Sequence, residues 1–372
     1  MNINDSVLKY DEKTIFALRE LYSKYGYSQY KMSKFEEYDL YVRNKDFLIS
    51  EGVITFNDTN GRLMALKPDV TLSIIKNSKD VSGFVQKLYY NENVYRVSDK
   101  THSFKEIMQV GLECIGDIDD YCISEVLSLA AKSLLTIKKE AVLDISHLGI
   151  LSAIFDYAGI PEDGRDAIMK SVSEKNPHEL LRLCADMGIE PCKAGLIRTI
   201  IGIYGKPDEV IDTLRSVLGE VAENEVDELY KIIKSVDPGY KDIIRIDFSV
   251  IGDIKYYNGI VFKGFVSGVP SSVLSGGQYD RLMKKMMKKS GAIGFAVYLD
   301  LLERLLSEVR MYDVDTVIVY GDGEDIMSVK RAVEQYSKEG SVSVQRAIPE
   351  RFTYKRLVKL SEGEVTVLEN NA

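Results

Sequence analysis

Cysteine and histidine are scarce in this chain, with four of the first and three of the second among 372 residues. Cys114, Cys122, Cys184 and Cys192 form no C-x-x-C pair, and none stands at metal-ligand spacing from a histidine. A disulfide framework and a zinc site are therefore not expected, and the thiols read as small buried hydrophobes in a reducing compartment. His147 and His178 lie apart in helical surroundings and read as structural. Long apolar runs are missing as well, which excludes a membrane-spanning helix. The polar opening MNINDSVLKYDEK has no signal-peptide core, so a cytoplasmic location is expected. Positive charge is in deficit, at a net −9, which leaves no broad cationic surface for phosphate backbones; a nucleic-acid partner would need a local basic groove. H-E-x-x-H, G-x-S-x-G and Walker sequences are all absent, and the hydrolase and NTPase readings go with them. No metal or cofactor is expected.

What is present is ordinary globular material, 45% hydrophobic and 28% charged, enough for roughly two to three domains at about 150 residues each. Residues 11–25 place Ile15, Leu18, Leu21 and Tyr22 on one helical face, with Gly26 as a stop. VITFND and RLMALK flank Thr59-Asn60-Gly61, a hairpin signal, and a short helix is expected over 69–77. FVQKLYYNENVYRV and EIMQVGLECIG read as antiparallel strands. A helix from about Ser124 to Lys138 and a strand AVLDIS follow. From about 147 to 236 the periodicity is helical, with Gly and Pro only at the joints, which describes an insertion rather than a linker. Strand patterns return in IIRIDFSV, YYNGIVFKGFV and SGGQYD, and an apolar-faced helix is expected from about Ile293 to Val309. Residues 312–372 read as a small αβ tail. Its Gly321-x-Gly323 reads as a turn rather than a phosphate loop.

Four stretches carry candidate chemistry. In Lys67-Pro68-Asp69-Val70-Thr71, the carboxylate and hydroxyl could meet an ammonium group; local sequence alone favours a helix N-terminus, where Asp and Thr are common caps. Gln109, Gly111 and Glu113 share one face of their strand, with the two polar side chains roughly 13 Å apart and the glycine expected as an open floor between them. That pattern fits a ligand with hydrogen-bonding groups at both ends, and it also fits a solvated sheet face. Tyr256 and Tyr257 sit side by side in a strand pattern, so at most one is expected to face the site of Glu113; core-edge tyrosines are the alternative. The glycines of Ser275-Gly276-Gly277-Gln278-Tyr279-Asp280 and of Ala292-Ile293-Gly294-Phe295-Ala296, the latter expected to open a helix, would let a ligand approach backbone.

In this order, with the insertion between the second and third, these stretches over most of residues 1–311 resemble the class II histidyl-tRNA synthetases. KPDVT after a hairpin, the Tyr95-Arg96 opening of motif 2, Q-x-x-x-E on its return strand, YYNGIVF, GGQYD and GFAVYLDL as motif 3 carry the likeness. The resemblance implies an α+β fold, an antiparallel sheet flanked by helices, in a domain spanning 1–311 that holds the helical insertion, followed by a small αβ domain at 312–372. It implies that Asp69, Thr71 and Gln109 hold the α-amino group of L-histidine, that Glu113 and Tyr257 address its imidazole, that Tyr256 lines the pocket, and that Arg96 faces a carboxylate or phosphate.

Departures from the family pattern concern catalysis. Gly252 stands where the family has its catalytic arginine, and Leu301 where motif 3 carries its ATP-binding arginine. Ser98 replaces a glutamate in a shortened motif 2 loop, and Ser33 replaces the motif 1 proline before Glu36. Removing one such charge-stabilising group typically costs about 10²–10³ in rate. The 61 residues after 311 are too few for the family's anticodon-binding domain. Together these features resemble the paralogous regulatory subunits of ATP phosphoribosyltransferase. That likeness implies no catalytic residues, a homodimeric core, a hetero-oligomer with the short catalytic subunit, histidine feedback on the first step of histidine biosynthesis, and no tRNA partner. A divergent synthetase and a histidine-sensing module of another complex stay open as alternatives.

Overall fold

The computed structural model describes residues 8–44, 52–98, 101–251, 256–305, 312–350 and 352–371. The chain forms two compact units, Met1–Leu305 and Leu306–Ala372.

The first unit opens with α1 (Tyr10–Lys24), which buries Ile15, Leu18 and Tyr22 and ends at Gly26, where φ is +81°. After β1 (Ser28–Gln29), β2 (Phe35–Glu37) and α2 (Tyr38–Val42) comes the expected hairpin, β3 (Thr55–Asn57) and β4 (Leu63–Leu66). Asp58 builds its turn by accepting from the N–H groups of Asn60 and Arg62, both at 2.8 Å, and Gly61 takes the positive φ of +79°. β2 pairs with the other side of β4, an addition the sequence pattern did not announce. Helix α3 (Thr71–Asn77) follows, then the long strands β5 (Val85–Val97) and β6 (Phe104–Gly116). Asp119 accepts from the Cys122 N–H at 2.9 Å, and this cap starts α4 (Asp120–Ile137) one turn before the expected Ser124. β7 (Ala141–His147) leads into the helices α5 (Leu148–Ala158), α6 (Glu162–Ser173), α7 (Pro177–Asp186) and α8 (Pro191–Gly202). The short β8 (Tyr204–Gly205), α9 (Pro207–Leu218) and α10 (Glu223–Ser235) complete this helical stretch. Proline opens α7, α8 and α9, where its missing N–H costs no hydrogen bond.

The chain then returns through β9 (Ile244–Asp247), β10 (Ile260–Val266), β11 (Leu274–Gln278), α11 (Asp280–Lys285) and β12 (Gly291–Tyr298). Nine strands make one sheet in the order β1-β5-β6-β12-β11-β10-β7-β9-β8, antiparallel from β5 through β7. One face packs on α1 and α4: Tyr22 meets Phe295 edge-on with ring centroids 6.0 Å apart, and a side chain at Gly264 would strike Leu134. This is the expected α+β architecture.

Two element assignments need correction. Residues 291–298 form the strand β12 instead of the start of a helix, and a 3-10 turn, Leu299–Leu305, follows it; residues 306–309 of the expected helix lie outside the described residues. Hydrogen bonding to β6 on one side and β11 on the other buries Ala292, Ile293, Phe295 and Val297, so the sequence shows no strand alternation. Within YYNGIVFKGFV the strand begins only at Ile260, leaving Tyr256 and Tyr257 in the turn before it.

The second unit contains β13 (Val314–Tyr320), α12 (Ile326–Tyr336), β14 (Val342–Gln345), β15 (Tyr354–Ser361) and β16 (Glu364–Asn370). Its sheet runs β14-β13-β15-β16, and Ile318, Ala332, Tyr336, Val358 and Leu360 form a core beneath α12. Gly323, at φ +99°, lies in the turn before Asp325, which caps α12. β15 and β16 were not expected.

Candidate ligand-binding site

Strand register builds the site. On the sheet face away from α1 and α4, Glu113 lies opposite Gly294, Gly294 opposite Gly277 and Gly277 opposite Val261. The next row runs Tyr90, Gly111, Ala296, Ser275, Lys263, and beside it Gln109 sits between Glu92 and Tyr298. Over this face lies a cavity of about 1130 Å³, and all seven candidate residues line it: Asp69, Thr71, Arg96, Gln109, Glu113, Tyr256 and Tyr257. They come from the start of α3, from β5 and β6, and from the turn before β10.

The glycines serve a different purpose from the one expected. A Cβ at Gly111 would come within 2.5 Å of the Tyr90 ring, one at Gly277 within 2.8 Å of Tyr257, and one at Gly294 within 1.8 Å of Glu113 Oε2. Each glycine receives a side chain of the protein itself, so Gly111 is not an open floor. Both tyrosines line the cavity because neither is in a strand, and their rings contact each other at 4.6 Å. The strand-alternation expectation of a single inward tyrosine therefore does not hold.

Glu113 is the most constrained group here, at 2% exposure. Thr71 Oγ1 donates to its Oε1 at 2.7 Å and Tyr279 Oη to its Oε2 at 2.5 Å. These bonds favour the charged form, but burial outweighs them and, with the nearby Asp69, pushes the carboxyl up to about 8. Burial also raises Asp69, against the Leu72 N–H and the Arg96 guanidinium, which pull it down. The Asp69 carboxylate accepts from the Leu72 N–H at 2.9 Å through Oδ1, which ties it to the first turn of α3, and it also lines the cavity. Arg96 is steadied by donating from Nε to the Pro68 carbonyl at 3.0 Å. Thr71, expected at the amino end of a ligand, has its hydroxyl proton engaged by Glu113.

Five further tyrosines of the cavity were missed: Tyr38, Tyr41, Tyr90, Tyr279 and Tyr298. Tyr279 lies within a motif already singled out, and Tyr90 is signalled only by the glycine opposite it. Tyr298 falls within the motif 3 stretch, and Tyr38 and Tyr41 have no signal in the sequence. Leu301 lies in the 3-10 turn and is not part of the cavity lining, and Gly252 is outside the described residues. Ser98 closes the β5–β6 connection, its carbonyl accepting from the N–H of His102, which takes a positive φ of 52°. Among the described residues no group of three His, Cys, Asp or Glu is placed to hold a metal, and no helix is long and apolar enough to cross a membrane. Cys114, Cys122 and Cys184 are buried as expected, whereas Cys192 is exposed.

Comparison with known proteins gives the same pattern. An ATP phosphoribosyltransferase regulatory subunit from Caldanaerobacter subterraneus subsp. tengcongensis is 28% identical over 349 residues, spanning 91% of this chain and 89% of the relative. The crystal structure of an ATP phosphoribosyltransferase regulatory subunit/histidyl-tRNA synthetase from Bacillus halodurans matches with a TM-score of 0.76 at 20% identity, covering 94% of this chain and 93% of the other. A chain of the ATP phosphoribosyl transferase (HisG:HisZ) complex from Thermotoga maritima matches with a TM-score of 0.61 at 18% identity, covering 78% and 97%. At these identities the solved structures speak for the fold. The histidyl-tRNA synthetase family profile matches residues 4–302, most of the chain, and the chain belongs to that family.

Proposed function

We propose that this chain is a regulatory subunit of ATP phosphoribosyltransferase: it binds L-histidine, partners the short catalytic subunit in the cytoplasm, and catalyses no aminoacylation itself. One observation carries the reading. The seven residues expected to hold histidine line one cavity, while leucine occupies the motif 3 arginine position. Asp69 and Gln109 would take the α-ammonium group and Arg96 the carboxylate. Glu113, largely protonated at neutral pH, would pass its proton to the incoming imidazole and form a desolvated ion pair flanked by Tyr257. A ligand on one subunit alters another only if it binds one state of the complex more tightly than another, so histidine acts here by linkage.

Mixing the chain with a short ATP phosphoribosyltransferase is expected to raise its activity, and added histidine to suppress it. Glu113→Ala is expected to blunt the suppression while leaving activation in place. Histidine-dependent pyrophosphate exchange by the chain alone is expected at background. Robust exchange would return the chain to the synthetases, and failure to associate under any ligand condition would remove the partner from the reading.

A further inference from the structure

Tyr41 is wholly buried in the short helix α2, among Val70, Ala65 and Tyr256, and it lines the cavity. Among the described residues its hydroxyl has no hydrogen-bond partner. A buried hydroxyl left unpaired costs free energy, and such groups are rare in folded proteins unless a ligand, ion or water completes them. The charges around it narrow the choice. After burial itself, Asp69 and Glu36 are the groups that raise the Tyr41 phenol, so two carboxylates lie close. Glu36 is engaged with α3, accepting from Ser73 Oγ at 3.1 Å and from Lys76 Nζ at 3.0 Å. Asp69 faces the cavity. These carboxylates favour a ligand cation here, with Arg96 beside Asp69 available to the carboxylate of the same ligand.

We propose that Tyr41 is a ligand-binding residue of this cavity, its phenol oxygen accepting a hydrogen bond from the α-ammonium group of the bound amino acid. An ammonium group carries three donors in a tripod. Asp69 and Gln109 supply acceptors, the Thr71 oxygen keeps its lone pairs while its proton points to Glu113, and the unpartnered Tyr41 oxygen adds an acceptor that a three-centre hydrogen bond can share. The site would thereby select amino acids with a free α-ammonium group. This inference rests on the histidine reading of the Glu113 end.

Tyr41→Phe isolates the hydroxyl, because the ring and its packing stay. Calorimetry with L-histidine and thermal melting without ligand are measured on the full chain and on this variant. Histidine affinity is expected to fall about ten- to a hundredfold, the usual range for a hydrogen bond to a charged group. The ligand-free melting temperature is expected to hold or rise, since the variant removes an unsatisfied buried oxygen. A purely structural hydroxyl would lower that temperature. Unchanged affinity, or weaker binding accompanied by a lower ligand-free melting temperature, would overturn the assignment. If the unaltered chain itself does not bind histidine, the pocket reading fails first, and the two failures are told apart.

Discussion

At the scale of single residues, Glu113 concentrates the chemistry. Its folded-state pKa lies above the ordinary glutamate value, so between those two pH values the native chain holds more proton than the unfolded one. The stabilisation from the neutral carboxyl is therefore complete below the unfolded pKa and is lost as pH rises through about 8. Ligand-free protein is expected to lose up to about 1.4 kcal/mol per pH unit from this group across that window. Glu113→Gln keeps an acceptor for one of Thr71 and Tyr279 but cannot ionise, and should flatten the slope. Thermal melts of both proteins at pH 5 and pH 8 decide the matter, and parallel slopes would contradict it. The place of Asp69, Thr71, Gln109 and Glu113 in one cavity wall was legible because they sit within short motifs on one helix start and one strand. Tyr41 was not, because what marks it is a missing partner, which only packing shows.

At the scale of elements, the sequence spoke where polar and apolar residues keep a period and fell silent where nearly every position is apolar, even though β6 is buried on both faces from Gln109 onward. The alternation in β6 and the stripe on α1 were readable. β12, paired on both sides with apolar residues at nearly every position, presents a continuous run that helical spacing also fits. Its short continuation Leu299–Leu305, with apolar spacing of its own, extended the false helix. The strand boundary at Ile260 was hidden because tyrosines suit a strand as well as a cavity wall. The paired position of β12 has a dynamic consequence: amides of Gly291–Tyr298 should be among the slowest to exchange, while Thr55–Asn57 in the exposed edge strand β3 should exchange quickly. Hydrogen exchange followed by mass spectrometry reads both, and comparable rates would mean that the central pairing is not the stable part of this unit.

For the whole molecule, recognition and size separate. Every residue lining the cavity lies between Tyr38 and Tyr298, inside the first unit. The second unit has its own core beneath α12. A chain ended after residue 311 is therefore expected to bind histidine with an affinity close to that of the full chain, as titration calorimetry would report. A large loss would give the second unit a part in the pocket.

The glycine seam beneath the cavity has a genetic consequence. A methyl group at Gly294 would meet the Leu112 carbonyl at 2.5 Å as well as Glu113, and one at Gly277 would meet the Ile260 carbonyl at 2.7 Å. Such changes push strands apart and do more than occlude a ligand, so Gly294→Ala is expected to yield little folded protein. In a growth selection on a toxic histidine analogue, where resistance demands a subunit that still activates its partner, these glycines should stay silent. Resistant alleles should instead collect at Asp69, Gln109 and Tyr41, whose side chains can be exchanged without parting the sheet.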